Sequence, residues 1–316
     1  MPANTMRSMT RHLIPVGAVL FYAVSYPIGA LAVSVVSPFA LIAGRFAVTS
    51  VVLWSWLLYR RARSHGRTDP LPRGAQLRWA VLAGALVHGG QFLGLYWAMA
   101  HGVAPGVCAL VIAMNPVATA MLNRLFGGAS ENRWGYLALT SGAAGVIAAC
   151  GSKLVSDPRL GGEFAVTLVA LFALAAGSLL QGRHLTGLSP VVFTAIGTTA
   201  STPPAVLLAL SEKTRISDLP HAALLLGLLV ITSALGTALY AACVRRSGAR
   251  QASMLFAVIP AVAALADWLI QGSAVGAWTL FGLGLGSLAC VAQVRSARVE
   301  TSPALVPGPG RSVLGR

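Results

Sequence analysis

Residues 95–121 read LYWAMAHGVAPGVCALVIAMNPVATAM, and residues 239–265 repeat them without a gap as LYAACVRRSGARQASMLFAVIPAVAAL. The offset between the two stretches is 144 positions, from 95 to 239, and it persists further along the chain. The identical pairs are Leu95/Leu239, Tyr96/Tyr240, Ala98/Ala242, Ala113/Ala257, Pro116/Pro260, Ala120/Ala264, Trp134/Trp278 and Gly142/Gly286. Agreement over this length predicts that the chain is built from two related halves.

The composition indicates that both halves lie in lipid. Of the 316 residues, 56% are hydrophobic and only 10% are charged, whereas soluble domains carry about 25% charged residues. The 34 glycines suit helices that approach one another closely in a bilayer. Because about 20 apolar residues cross a membrane, the apolar runs divide into about ten segments. These are residues 12–34, 38–59, 79–100, 104–126, 134–152, 162–182, 189–211, 221–243, 249–270 and 275–294.

The predicted fold is an all-α integral membrane protein with ten transmembrane helices in two inverted five-helix repeats. An odd number of helices in each half places the second half upside down relative to the first, which is the plan of many secondary transporters. Residues 1–11 are predicted to be a cytoplasmic N-terminus, and 12–153 the first repeat. Residues 154–161 form an outer linker, 162–294 the second repeat, and 295–316 a disordered cytoplasmic tail.

The positive charges predict the orientation. Most of the 23 lysine and arginine residues fall in alternate connections, above all in residues 60–78, and such residues are retained on the cytoplasmic side. Both termini are therefore predicted to be cytoplasmic. The basic run 60–78 is interpreted as a topology anchor against anionic lipid headgroups.

Several other classes of protein are disfavoured. The net charge of +15 is spread over short connections, not gathered on one soluble surface as nucleic-acid binding requires. The four cysteines lack metal-binding spacing, so no metal is expected. No GxxxxGK[ST], HExxH or GxSxG motif occurs, which argues against an ATPase and an enzyme and predicts no cofactor. A homodimer is left open.

Two polar residues mark the third predicted helix. His88 and Gln91 fall with Gly84 and Leu95 on one stripe of a regular helix, and that stripe is predicted to face a solute cavity. His88 titrates near neutral pH in water, so it could bind a carboxylate or relay a proton. The alternative is a structural histidine that is hydrogen-bonded to a neighbouring helix.

The fourth and ninth predicted helices each contain the repeated proline. Asn115 and Thr119 share a face with the first of these, Pro116, and a proline frees a backbone carbonyl and kinks a helix. Pro260 is its counterpart in the second half. Broken helices that line a cavity are typical of transporters, although both kinks could be purely structural.

Four aromatic side chains are further candidates for solute binding. Tyr22 and Tyr26 lie one turn apart on the first predicted helix, Tyr240 lies on the eighth, and Phe256 lies on the ninth. The three tyrosines, like Trp97 on the third helix, could stack on a planar solute, or they could anchor helices at the interface and in the core. Phe256 is a candidate because it shares a face of the ninth helix with Pro260 and Asp267.

Arg45 is the only cation deep inside a predicted helix, and Asp267 is the only acid deep in an apolar segment. A charge in a bilayer needs a partner, and the predicted topology places both residues in the outer half of the membrane. A charge pair, or a role in coupling, is therefore predicted for them. The alternative is that Arg45 extends toward the outer headgroups.

The same residues resemble the EamA-type members of the drug/metabolite transporter superfamily. The resemblance in the first half rests on SPFALIAGRF, residues 37–46, on GLYWAMAHGVAPGVCALVIAMNP, residues 94–116, and on WGYLALTSGAAGVI, residues 134–147. In the second half SPVVFTAIG, LYAACVRRSGARQASMLFAVIP and WTLFGLGLGSLAC follow in the same order. Family members often carry a glutamate where this chain has Ala129 and Ser273, so no role for that carboxylate is carried over.

The resemblance implies a carrier of the bacterial plasma (inner) membrane, commonly an exporter of amino acids, related metabolites or toxic compounds. Its cavity would be lined by the first, third and fourth helices of each half. We therefore expect a secondary transporter that exports a small metabolite or drug by alternating access, with membrane lipids and the solute as its partners. An importer or exchanger is one alternative, and a non-transporting membrane scaffold is another.

Overall fold

Helices make up nearly all of the chain that the computed structural model describes, which is residues 3–63, 70–126, 133–156, 161–253, 258–272 and 276–300. The first half contains α1 (Ala3–Val35), α2 (Pro38–Arg63), α3 (Gly74–Gly84), α4 (Gln91–Ala100), α5 (Pro105–Ala113), α6 (Asn115–Leu125) and α7 (Arg133–Ser156). The second half contains α8 (Gly161–His184), α9 (Pro190–Ser211), α10 (Leu219–Ser253), α11 (Ile259–Gln271) and α12 (Ala277–Glu300). A π-helical turn, Ala85–Gly90, joins α3 to α4.

Within the described part of the chain, five helices are long and apolar enough to cross a bilayer by themselves. They are Leu13–Val35, Pro38–Arg63, Gly161–His184, Pro190–Ser211 and Leu219–Gly236. The bent pair α5 and α6 adds a sixth if the two count as one span. The ten predicted spans are not reached by this criterion. A π-helical turn divides residues 74–100 and α11 has only 13 residues, and the fully described stretches of α7 and α12 are too short to count. The count of ten stays a prediction.

The helices pack in a pattern that is preserved when the two halves are exchanged. The first helix of the first half, α1, packs against α10 and α11 of the second half. Likewise the first helix of the second half, α8, packs against α4 and α6 of the first half. The remaining large contacts join equivalent helices of the two halves, α2 with α9 and α7 with α12. The interior between the halves is thus formed by elements of both.

Glycines allow several of these contacts. A β-carbon on Gly84 would lie 2.5 Å from Cα of Gly197, so α3 and α9 touch through their backbones. A β-carbon on Gly145 would lie 2.9 Å from the carbonyl oxygen of Gly282, which brings α7 and α12 equally close. Small residues at helix crossings are how membrane bundles gain dispersion energy.

Two connections meet at one end of the bundle. Val36, between α1 and α2, forms an isolated antiparallel bridge with Ile216, between α9 and α10. The amide of Ser37 donates to the carbonyl of Arg215, and the amide of Ser217 donates to the carbonyl of Val35, both at 3.0 Å. On the predicted topology this end is the outer one, and the bridge ties the two halves together there.

The structure departs from the predicted segments near the second repeated proline. α10 continues to Ser253, where a break between residues 243 and 249 was expected, because a single glycine among helix-compatible residues does not end a helix. α11 begins only at Ile259, so Pro260 occupies its first turn and does not kink a continuous helix. Proline suits that position because the first turn has no hydrogen-bond partner for the missing N–H.

Both ends are also more helical than predicted. α1 begins at Ala3, within the expected cytoplasmic N-terminus, and α12 extends to Glu300, past the expected start of a disordered tail at residue 295. The rest of that predicted tail, residues 301–316, lies outside the described part of the chain.

Candidate functional site

Arg45 is the centre of a polar cluster between the halves. It lies on α2 and is 7% exposed. Its Nη1 donates to the hydroxyl of Tyr96 at 2.8 Å, and its Nη2 donates to the hydroxyl of Ser233 at 2.6 Å. The guanidinium carbon lies 4.3 Å from the ring centre of Phe92. A buried cation is therefore held by two neutral hydroxyls and an aromatic face, and we call these four residues the Arg45 cluster.

Asp267 is not among the hydrogen-bond and ring partners that the structure describes for Arg45, so the predicted charge pair stays a prediction. Within the described residues, the hydrogen bonds of Arg45 go to hydroxyl groups and its cation–π contacts are with aromatic rings. Asp267 is buried on α11, where its carboxylate accepts a hydrogen bond from Gln271 one turn later. The guanidinium disperses its charge over a plane that can stack on a ring while its edges donate hydrogen bonds, so neutral groups can serve as its partners.

His88 lies in the π-helical turn and faces α9. A β-carbon on Gly197 would lie 2.4 Å from its Cδ2 atom, so the imidazole rests on that glycine. Its ring is 6.0 Å from Phe193 and 6.5 Å from Phe92. Nε2 is buried without a hydrogen-bond partner among the described residues. A buried ring nitrogen without a partner is a place where a bound hydrogen-bonding group would be stabilised.

The predicted stripe on the third helix assumed a regular α-helix. The wider π-helical turn changes the phase between Gly84 and Gln91, so the stripe is interrupted. Gln91 begins α4 and is buried at 8% exposure. Such turns occur mostly as single insertions in α-helices and frequently at functional sites.

Asn115 and Thr119 lie at a break in the fourth predicted helix. α5 ends at Ala113, α6 begins at Asn115, and the two are bent by 41°. Pro116 is in the first turn of α6, and the hydroxyl of Thr119 donates to Oδ1 of Asn115 at 3.3 Å. Both side chains are half-buried.

The aromatic candidates divide into two groups. Tyr22 and Tyr26 are half-buried on α1 and pack beside Ala109 and Ile259. The ring of Tyr22 faces α10, where a β-carbon on Gly236 would lie 3.3 Å from it. Tyr240 lies in α10, but the structure describes only its backbone, and Phe256 falls outside the described residues.

Several polar contacts between the halves have no signal in the sequence. The hydroxyl of Ser50 on α2 donates to the hydroxyl of Thr198 on α9 at 2.9 Å. Nε1 of Trp54 donates to the hydroxyl of Thr199 at the same distance. Phe92 and Tyr96 were detectable as an aromatic pair one turn apart, but isolated hydroxyls in apolar runs carry no such signal.

A groove of about 500 Å³ lies elsewhere, between α11 and α12. Its walls are apolar, and Leu265, Trp268 and Leu280 on its rim are each more than half exposed. It contains none of the predicted solute-binding residues.

Comparison with known proteins bears on what this arrangement does. The sequence matches the EamA-like transporter family twice, over residues 11–150 and 161–294. A solved structure described only as "Crystal structure of protein" superposes with a TM-score of 0.59 at 16% identity, covering 94% of this chain and 99% of that one. That likeness concerns the fold alone. The curated proteins contain no match.

Proposed function

Since the chain belongs to the EamA-like transporter family, and is thus a multi-pass membrane protein of a family that transports small solutes, we propose that it is a secondary transporter exporting a small metabolite or drug. The solute classes proposed are amino acids, related metabolites and aromatic compounds. Export and a place in the bacterial plasma membrane are proposed because the resemblance of the sequence implies them. Alternating access is proposed because the chain has two repeats.

The Arg45 cluster carries this proposal. Arg45 and Tyr96 belong to the first half, whereas Ser233 belongs to the second, so the hydrogen bond from Arg45 to Ser233 crosses between the halves. Polar and charged groups inside a membrane protein are costly and therefore mark a solute path by default. A rocking motion of one half against the other would break and remake this contact, which supports a solute site at that interface.

The test begins with a screen for thermal stabilisation of the purified protein by amino acids, nucleobases, aromatic amines and antibiotics. A ligand that binds only the folded state raises stability by RT ln(1 + [L]/Kd). The stabilising compound is then used in a counterflow assay with proteoliposomes. We expect it to accumulate in liposomes that contain the protein and not in empty ones.

Matched variants locate the site. Asn115→Ala lies at the bend of α5 and α6, and we expect it to reduce both stabilisation and counterflow. Asn123→Ala makes the same change two turns later on α6, where the amide oxygen only accepts an exposed hydrogen bond from Arg183, and should leave both unchanged. A compound that binds but is never moved across the membrane would contradict the transporter and favour the scaffold.

A further inference from the structure

Arg45 lies between the two halves, and no acid among the described residues pairs with its positive charge. Its partners among the described residues are the hydroxyls of Tyr96 and Ser233 and the rings of Phe92 and Tyr96, all of them neutral groups. A buried cation without an acid is strongly disfavoured in lipid. A bound anion would stabilise such a cation more than neutral groups do.

The position of Arg45 makes simple extension toward the headgroups a poor explanation. It is the eighth residue of α2, which begins at Pro38, so its Cα lies about 10 Å along the helix axis. Both terminal nitrogens donate inward, to α4 and α10. The guanidinium is thereby fixed inside the bundle.

The contacts of the guanidinium leave donors free for a ligand. A guanidinium has five N–H donors in one plane, and only two hydrogen bonds are made to described side chains. Phe92 lies over its face, so a carboxylate or phosphate would bind at its edge, where such groups accept two parallel hydrogen bonds. Such charge-assisted bonds are stronger than bonds to a neutral hydroxyl, so an oxyanion would displace Ser233.

We propose that Arg45 anchors an oxyanion, carboxylate or phosphate, on the transported solute. The proposal rests on the proposed transport function and narrows it to organic anions or zwitterions. Ser233 is the substitute ligand in the empty protein, and because it belongs to the second half, its displacement links binding to the relative position of the halves. Tyr96 keeps the guanidinium aligned from the first half.

The test uses small probes that differ in charge. The full-length protein in an uncharged maltoside detergent is titrated with benzoate, phenyl phosphate, neutral benzamide and cationic benzylamine, and Kd is obtained from thermal shift or calorimetry. The benzene ring is chosen because Phe92 and Tyr96 border the guanidinium. We expect at least one of the two anions to stabilise the protein more than benzamide and benzylamine do.

Variants assign the effect to Arg45. Arg45→Gln should raise the Kd for the anion by about tenfold or more, because it loses the charge-assisted hydrogen bonds. Arg45→Lys should give an intermediate Kd, because it keeps the positive charge but loses the two-pronged geometry of the guanidinium. Arg183→Gln, at an exposed arginine on α8, is the matched control and should change nothing. If Arg45→Gln does not fold, Arg45→Lys provides the test. The ratio of its affinity for the anion to its affinity for benzamide should be lower than in the wild-type protein.

Several results would overturn the proposal. Anions that bind no better than benzamide would do so, as would undiminished anion binding in Arg45→Gln or an undiminished affinity ratio in Arg45→Lys. Stabilisation by phosphatidylglycerol alone would assign Arg45 to a lipid headgroup and not to a solute. The two proposals can fail separately. Counterflow of a neutral solute without anion binding would contradict only the role of Arg45 as an oxyanion anchor. Anion binding at Arg45 without any transport removes only the transporter.

Discussion

At the scale of single residues, Gly197 is a position with no room for a side chain. A β-carbon there would lie 2.4 Å from Cδ2 of His88 and 2.9 Å from Cα of Gly84. One of these atoms is backbone, so the clash is not relieved by a side-chain rotation. We expect Gly197→Ala to destabilise the protein by about 1–3 kcal/mol, the usual range for overpacking a tight contact, and to lower its unfolding temperature in detergent.

Gly227→Ala is the control for helix propensity. No described atom lies within 4 Å of a β-carbon placed there, and alanine is favoured over glycine inside a helix by roughly 0.5–1 kcal/mol. That substitution should leave the unfolding temperature unchanged or raise it slightly. Equal unfolding temperatures for Gly197→Ala and wild type would mean that α3 and α9 are not in close contact.

The residue scale is also where sequence reasoning was weakest. The sequence indicates that Arg45 needs a partner, and Asp267 is the only deep acid that it offers. Sequence shows charge and depth, but it does not show which helices are neighbours. Ser233 lies in α10, far along the chain from Arg45. Nothing in a lone serine inside an apolar run indicates that it will receive a hydrogen bond from a cation.

At the scale of elements, the π-helical turn Ala85–Gly90 behaves as an insertion. The backbone is right-handed helical at both junctions, with φ and ψ of −64° and −42° at Gly84 and of −65° and −56° at Gln91. Deleting Ala85 should therefore convert the turn to α-helix while α3 and α4 keep their positions. We expect a folded, monodisperse protein in which His88 has left Gly197 and solute stabilisation is reduced, as measured by size exclusion and thermal shift.

Deletion of Ala175 provides the comparison. It is fully buried in the middle of α8, a regular helix with no inserted residue to lose, so removing it rotates half of the helix by about 100°. That protein should not be recovered folded. If deletion of Ala85 were equally damaging, the turn would be a required element of the packing and not a tolerated insertion.

The same turn explains a second limit of the sequence. Helical periodicity predicted a polar stripe that includes His88 and Gln91, and a pattern of hydrophobic and polar residues cannot reveal where a helix widens by one residue. The bend at Asn115 was easier to anticipate, because Pro116 has a direct steric effect on the preceding turn. Pro260 predicted a kink for the same reason, but proline is also favoured in the first turn of a helix, which is where Pro260 lies.

At the scale of the whole molecule, the repeat was readable from the sequence. The offset of 144 positions predicted two related halves, and the family matches each half separately. Helix packing follows the same exchange, with α2 on α9 and α7 on α12. Sequence could not supply the relative placement of the halves, because this depends on glycine contacts and on the bridge between Val36 and Ile216.

That bridge leads to a prediction about motion. The two backbone hydrogen bonds lie on either side of Val36 and Ile216. These two residues therefore form a non-hydrogen-bonded antiparallel pair, and the Cα atoms of such a pair lie about 4.5 Å apart. A disulfide spans that distance. In a Val36→Cys/Ile216→Cys variant, oxidation should join the two halves at this end and abolish counterflow in proteoliposomes of the solute found by the stabilisation screen, and dithiothreitol should restore it.

The single variants Val36→Cys and Ile216→Cys control for the native cysteines, among them the buried Cys108 and Cys243, and should transport equally with and without oxidant. Mass spectrometry of the oxidised double variant establishes that the bond has formed. A protein that is fully crosslinked and still transports at the normal rate would show that these ends do not separate during the cycle. Solute would then have to leave by a route that keeps Val36 and Ile216 together, and a rocking of the halves about the Arg45 cluster would be excluded at this end.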